Sequence, residues 1–144
     1  MGQVSTARPS TAQPLSVFDI AGRAMAAQLI RLNTVASNLA NAGSVAGSAD
    51  ATYQPRKPVF ATAFDGASRA TVDVERIATG TAAPEKRHDP GHPLANADGD
   101  VFVANVDVNQ ELVEMMETSR QYQNNVEVLA TAKTLMLDTL KLGK

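Results

Sequence analysis

Cysteine and tryptophan are both absent from the 144 residues. Without thiols the chain has no disulfides and no cysteine-based metal site, and nothing fixes its redox compartment. Aromatic residues make up only 4%, so the large anchors of a conventional core are scarce. A net charge of -2 with unclustered basic residues gives no electrostatic footprint for nucleic acid or for an anionic membrane. No stretch approaches the roughly 18 consecutive apolar residues of a spanning helix. The start lacks the basic, apolar and small-residue order of a cleaved signal peptide. Met1-Gly2-Gln3-Val4-Ser5-Thr6 fits a loose myristoylation pattern, but nothing nearby supplies a second anchor. What remains is a chain of one-domain length whose apolar 44% is drawn heavily from alanine.

Four segments follow from composition and periodicity. Residues 1–14 are small, polar and proline-containing, and read as a flexible tail. At 15–42 the pattern becomes helical. Ser16 and Asp19 have capping-box spacing, and Leu15 and Ile20 are placed to staple across it. Phe18, Ala21, Met25, Gln28, Leu32, Val35 and Leu39 then step by three and four, as a heptad seam requires. Asn41-Ala42-Gly43 supplies the stop. Gly22 weakens this helix by about 1 kcal/mol relative to alanine, a cost that suits close approach of another backbone.

Residues 43–105 form a linker and a small β module. Its expected strands are 57–64, 71–78 and 100–105, separated by Asp65-Gly66, Thr79-Gly80 and Asp98-Gly99. The stretch 43–52 reads as a hinge, and Asp89-Pro90-Gly91-His92-Pro93 as loop. Residues 106–144 carry the second helix, opened by a box of Asp107 and Gln110. Leu112, Met115, Ser119, Tyr122, Val126, Leu129, Lys133, Met136 and Leu140 set its seam. The expected class is mainly α with a small β insert, the long terminal helices pairing as a coiled coil around a short antiparallel β module.

Both helices carry more apolar surface than one seam covers. The first adds Ile20, Ala24, Ala27, Leu29, Ile30 and Ala36, and the second adds a late row of Val128, Leu135 and Leu142 seven apart. Two readings stay open on periodicity alone: a helical hairpin whose second rows pack on the β module, or self-assembly through those rows. For assembly the candidate interface is Phe18, Met25, Leu32, Val35, Asn38, Leu39 and Asn41, with Leu112, Met115, Tyr122, Val126 and Leu129, and finally Val128, Leu135, Met136 and Leu142. Asn38 and Asn41, three apart, are placed to bond a neighbouring backbone. Long alanine-rich faces return little against the entropy of ordering them, so the terminal helices are expected to fold largely on assembly.

Catalytic chemistry finds little footing. His88 and His92 are four apart, but Pro90 and Gly91 prevent the helical face that would align them as ligands. A relay drawn from His88, Asp89 and a serine lacks a nucleophile elbow. Asn96-Ala97-Asp98-Gly99-Asp100 faintly suggests a calcium loop, yet the registering positions Leu94 and Asn105 do not suit one, and a turn is expected. No phosphate-binding glycine loop exists. The expectation is no enzyme, no cofactor, no nucleic acid and no small-molecule substrate.

Val35-Ala36-Ser37-Asn38-Leu39-Ala40-Asn41-Ala42 resembles the N-terminal signature of the flagellar rod and hook axial proteins. DPGHPLANADG, ANVDV and ELVEMM, across residues 89–116, are similar to the segment leading into their C-terminal helix, and residues 119–128 continue the match. Phe18-Asp19-Ile20-Ala21-Gly22 and the ending from Leu137 look like the proximal-rod branch. Three features depart from the family pattern: Asp100 stands where an aromatic often follows the turn, the 43–52 linker is unusual, and the tail is long. The resemblance implies a structural subunit of the basal-body rod. It implies passage unfolded through the flagellar type III export apparatus without a cleaved signal. It also implies assembly as a helical tube across the periplasm, with other copies of itself and sister rod proteins as partners. The competing expectation is a soluble coiled-coil adaptor or export chaperone.

Overall fold

A computed structural model describes residues 16–65 and 69–143. The expected N-terminal tail, the Leu15 half of the staple and Gly66 of one turn lie outside those residues.

Helix α1 runs Val17–Ala40 and opens where its cap chemistry dictates. The Ser16 hydroxyl accepts the Asp19 N–H at 3.1 Å, and the Asp19 carboxylate accepts the Ser16 N–H at 2.9 Å. The backbone N–H of Ser16, then its hydroxyl, hold the Asp19 carboxyl below the usual carboxylate range. The helix ends at Ala40 rather than 42. Asn41 caps it, donating its side-chain amide to the Ser37 carbonyl at 2.8 Å, and Gly43 turns the chain away at φ 76°.

The β region is two small sheets, not one module. Strands β2 (Arg56–Asp65) and β3 (Arg69–Thr79) form an antiparallel hairpin with a register shift between Val59 and Phe60. A separate sheet has the order β1-β5-β4, with β1 at Val45–Ala46, β4 at Glu85–His88 and β5 at Asp100–Val103. Its outer strands were not expected. The stretch read as a hinge contributes β1, because Val45 and Ala46 pair with Val103 and Phe102. Gly47 allows this closeness, since a Cβ there would sit 2.9 Å from the Leu94 carbonyl oxygen. The expected strand 100–105 stops at Val103. At Gly99, φ of 77° matches the expected turn, and the Asn96 side chain closes it by accepting the N–H groups of Asp98 and Asp100.

Helix α2 runs Val108–Leu142. The Asp107 carboxylate opens it, taking the N–H of Asn109 at 2.9 Å and of Gln110 at 3.1 Å, but the expected box is only half formed, since among the described residues the Gln110 side chain returns no bond to the Asp107 N–H. The helix lies antiparallel along α1: Gln28 meets Gln121, while Arg31, one turn later, meets Glu114, about two turns earlier. With 24 residues α1 is about 36 Å long, and with 35 residues α2 is about 52 Å. Val17, at the start of α1, lies beside Val128 and Leu135. The last turns of α2 therefore run past the described end of its partner.

The core is thin and largely polar. Buried apolar residues are Ala21, Ala27, Val35, Val101 and Ala104, all small, whereas Thr34, Asn38, Thr52, Thr71, Asp100, Glu111 and Thr118 are buried as well. Apolar burial of that size supplies little of the free energy a compact domain draws on.

Candidate functional site: the helix pair and its outer faces

The seam between α1 and α2 is polar. The Gln28 side-chain amide donates to Gln121 at 2.9 Å, and Gln121 donates to Glu117 at 3.1 Å. The Gln28 oxygen is buried without a partner among the described residues. Arg31 pairs with Glu114 in a partly buried salt bridge. Thr118 is fully buried and donates its hydroxyl to the Glu114 carbonyl at 2.7 Å.

This arrangement corrects the expected apolar seam by a rotation of α2. Glu111 and Thr118, seven apart, sit at the centre of contact. Met115, Tyr122 and Leu129 flank it and are half-buried. Leu112 and Val126 turn away from α1 and are exposed, and so is Met136, beyond the start of α1. Val128, Leu135 and Leu142, the late row, are 50%, 63% and 87% exposed. On α1, Val35 is buried and Phe18, Met25, Leu32, Leu39 and Asn41 are half-buried. The outer face of α1 is a run of exposed residues at alternating spacings of four and three: Gly22, Ala26, Leu29, Asn33, Ala36 and Ala40. Among the described residues a Cβ on Gly22 would meet no atom within 4 Å, so no close backbone there accounts for that glycine.

Asn38 does not face a neighbour. It is 1% exposed, and its amide is committed within the chain. Its nitrogen donates to the Arg56 carbonyl at 2.9 Å, and its oxygen accepts the Arg56 N–H and the Tyr53 hydroxyl, each at 2.8 Å. One side chain thereby ties the last turns of α1 to the first residue of β2. Tyr53 also reaches the Ser37 hydroxyl at 3.1 Å, and the Arg56 guanidinium lies 5.9 Å from its ring centroid. The roles of Tyr53 and Arg56 were missed in the sequence. The signal available was Tyr53-Gln54-Pro55, a tyrosine before a proline in a polar stretch, too weak to name a partner.

The β4–β5 sheet carries an ionic latch. The Asp100 carboxylate accepts Lys86 at 2.7 Å and contacts the His88 ring Nδ1 at 2.9 Å. Lys86, then His88, hold the Asp100 carboxyl below its ordinary range, and Asp100 raises Lys86. His88, which a catalytic reading would have needed, thus clamps a strand. His92 accepts the Leu94 N–H at 3.1 Å and fixes a loop. Among the described residues no three His, Asp or Glu side chains gather as metal ligands, and no helix is long and apolar enough to cross a membrane.

Comparison with known proteins adds a family to this geometry. Residues 18–47 match the family described as flagella basal body rod protein, and residues 102–142 match flagellar basal body rod FlgEFG protein C-terminal. The flagellar basal-body rod protein FlgC of Salmonella typhimurium is 47% identical over 131 residues, covering 90% of this chain and 98% of the relative. FlgC of Escherichia coli O6:H1 is 48% identical over the same shares. FlgC of Buchnera aphidicola subsp. Baizongia pistaciae is 29% identical over 132 residues, covering 90% of this chain and 97% of the relative.

Proposed function

The chain belongs to the FlgC family of flagellar basal-body rod proteins, a structural and not an enzymatic family, and from that premise we propose how it builds a rod. It is a structural subunit of the basal body, joining other rod proteins in the axial structure. Its terminal helices pair as a short coiled coil within the subunit, and their outer faces are completed by neighbouring subunits. One contact uses the small-residue face of α1, and the other uses the exposed apolar row of α2. Two different faces per subunit give head-to-tail contacts, and where their rotation does not close these build an open helical array. Subunits reach the rod through the flagellar export apparatus without losing a leader, and the rod crosses the periplasm.

The observation that carries this reading is the polar character of the intrachain seam. Gln28, Arg31, Glu114 and Gln121 face one another while Leu135 and Leu142 lie exposed. A free-standing hairpin would be expected to turn these the other way. Density for basal bodies purified from cells carrying this chain tests the proposal. Subunits with α2's late row seated against an adjacent subunit would support it. A rod whose subunits touch only through the β sheets would overturn it.

A further inference from the structure

Two shallow grooves adjoin along the side of α1 that borders β3. One, of about 410 Å³, has Ala26, Ala27 and Ile30 as its floor and Val72 and Val74 as its wall. The other, of about 290 Å³, shares Ile30 and continues past Asn33 to Ser37 and Ile77. The register shift in the hairpin leaves Glu75 opposite no residue of β2. Val72, Val74 and Ile77 therefore come to one face of the ribbon. Among the lining residues charge stands only at the two ends. Arg23, paired with Asp73 at 3.2 Å, closes one end. Arg56, in no ion pair among the described residues, closes the other.

We propose that this groove seats the end of α2 from a second copy of the chain, with Leu135 at its centre against Ile30. The proposal rests on the chain being a rod subunit, and it makes the two outer faces of that subunit partners of one another. Their lengths agree: α1 rises about 21 Å from Arg23 to Ser37, and α2 rises about 21 Å from Val128 to Leu142. Their shapes agree as well, since Val128, Leu135 and Leu142 make a ridge of branched side chains over a floor that includes two alanines. The charges are complementary. At about 100° per residue, Glu127 and Asp138 lie within a quarter turn of the ridge, whereas Lys133 and Lys141 lie a third of a turn or more from it. The ridge thus arrives with acidic side chains beside it, and Arg56 is the unpaired cation of the groove. The chain cannot bring its own ridge there, because Leu135 lies beside Val17, about 20 Å along α1 from Ile30. No buried polar side chain of the groove lacks a partner, as a small polar ligand would require, and an open apolar trough suits a helix laid along it.

Because the chain has no cysteine, introduced thiols are its only ones. The test expresses the full-length chain in a motile host whose own copy of the gene is deleted. Ala26→Cys and Asn33→Cys are each combined with Leu135→Cys, and purified basal bodies are treated with a short bismaleimide. Both α1 positions are exposed and stand about one turn to either side of Ile30, so either pair serves if the other assembles poorly. Seating predicts a ladder of dimers and longer species, with several-fold more linked chain than any of the three single variants gives. Monomer alone, in basal bodies that contain the chain, overturns the proposal, as would follow if a sister rod protein filled the groove. A ladder of equal strength from Leu135→Cys alone also overturns it, because the ridges would then pair with one another. Basal bodies that lack even the wild-type chain would instead defeat the rod-subunit reading itself.

Discussion

The two ends of the α1–α2 pair differ in what they leave undone. At the junction end Asn38 satisfies three groups of β2 and its approach, and Arg31 and Glu114 neutralise each other. At the other end α2 runs past the start of α1, and Leu135, Met136, Leu140 and Leu142 are 63%, 56%, 64% and 87% exposed. The junction holds the subunit together by directional polar contacts that need no neighbour. The far end offers non-directional apolar surface that water disfavours and another subunit can cover. The polar contacts that tie the helices to the β hairpin and the most exposed apolar row thus lie at opposite ends of one helix pair.

Substitutions that act at only one end break this comparison most sharply. Leu135→Asp combined with Leu142→Asp should abolish motility and leave almost no assembled basal bodies, because each charge would have to be desolvated in the intersubunit contact. The purified variant should melt within about 0.5 kcal/mol of wild type, as surface changes do. Swimming at the wild-type rate would place assembly elsewhere.

Asn38→Ala should act in reverse. It strands the Arg56 N–H and carbonyl, at about 1–3 kcal/mol for each group left unsatisfied, while the Tyr53 hydroxyl keeps Ser37, so a total near 3 kcal/mol is expected in urea unfolding. A loss below about 0.5 kcal/mol would show that the junction does not carry the fold.

A smaller effect, about 1 kcal/mol at most, is expected of Gly22→Ala. The added methyl meets no atom within 4 Å and raises helix propensity, so the isolated chain gains stability. If the small-residue face packs closely on a neighbour, the same methyl should lower basal-body number severalfold. Unchanged numbers would show that the face stays open in the rod.

The smallest expected effect is pH-dependent and belongs to the β4–β5 sheet. Lys86 and His88 lower Asp100, so its contribution is complete above the ordinary carboxylate value of about 3.9 and is lost as pH falls through the depressed folded value. Lys86 is raised, so its contribution is complete below about 10.4 and is lost as pH rises through the folded value. Urea midpoints should decline as pH falls below about 4, and Asp100→Asn should flatten that limb. An unaltered acid limb would remove the latch from the account.

Local chemistry was legible in the sequence. Ser16 with Asp19, Asp107, and the turn at Gly99 each act within four residues, and the folded chain uses all of them. The seam was not legible. Apolar periodicity finds the apolar face of a helix and assumes that this face looks inward; here Glu111, Thr118 and Gln121 look inward instead. Strands β1 and β4 escaped notice because one has two residues and the other, Glu85–His88, is exposed throughout and shows no alternation. Asn38 was singled out with the wrong partner. Its bonds reach 15 and 18 residues along the chain, and nothing local to Asn38 announces Tyr53 or Arg56.

Hydrogen exchange compared between the isolated full-length chain and purified basal bodies tests the division of labour most directly. Amides of residues 128–142 should exchange at nearly unfolded rates in the isolated chain and slow by orders of magnitude in the rod, whereas residues 108–118 and 35–40 should be protected in both. Residues 128–142 that are as protected in the isolated chain as residues 108–118, or that remain unprotected in the rod, would contradict it.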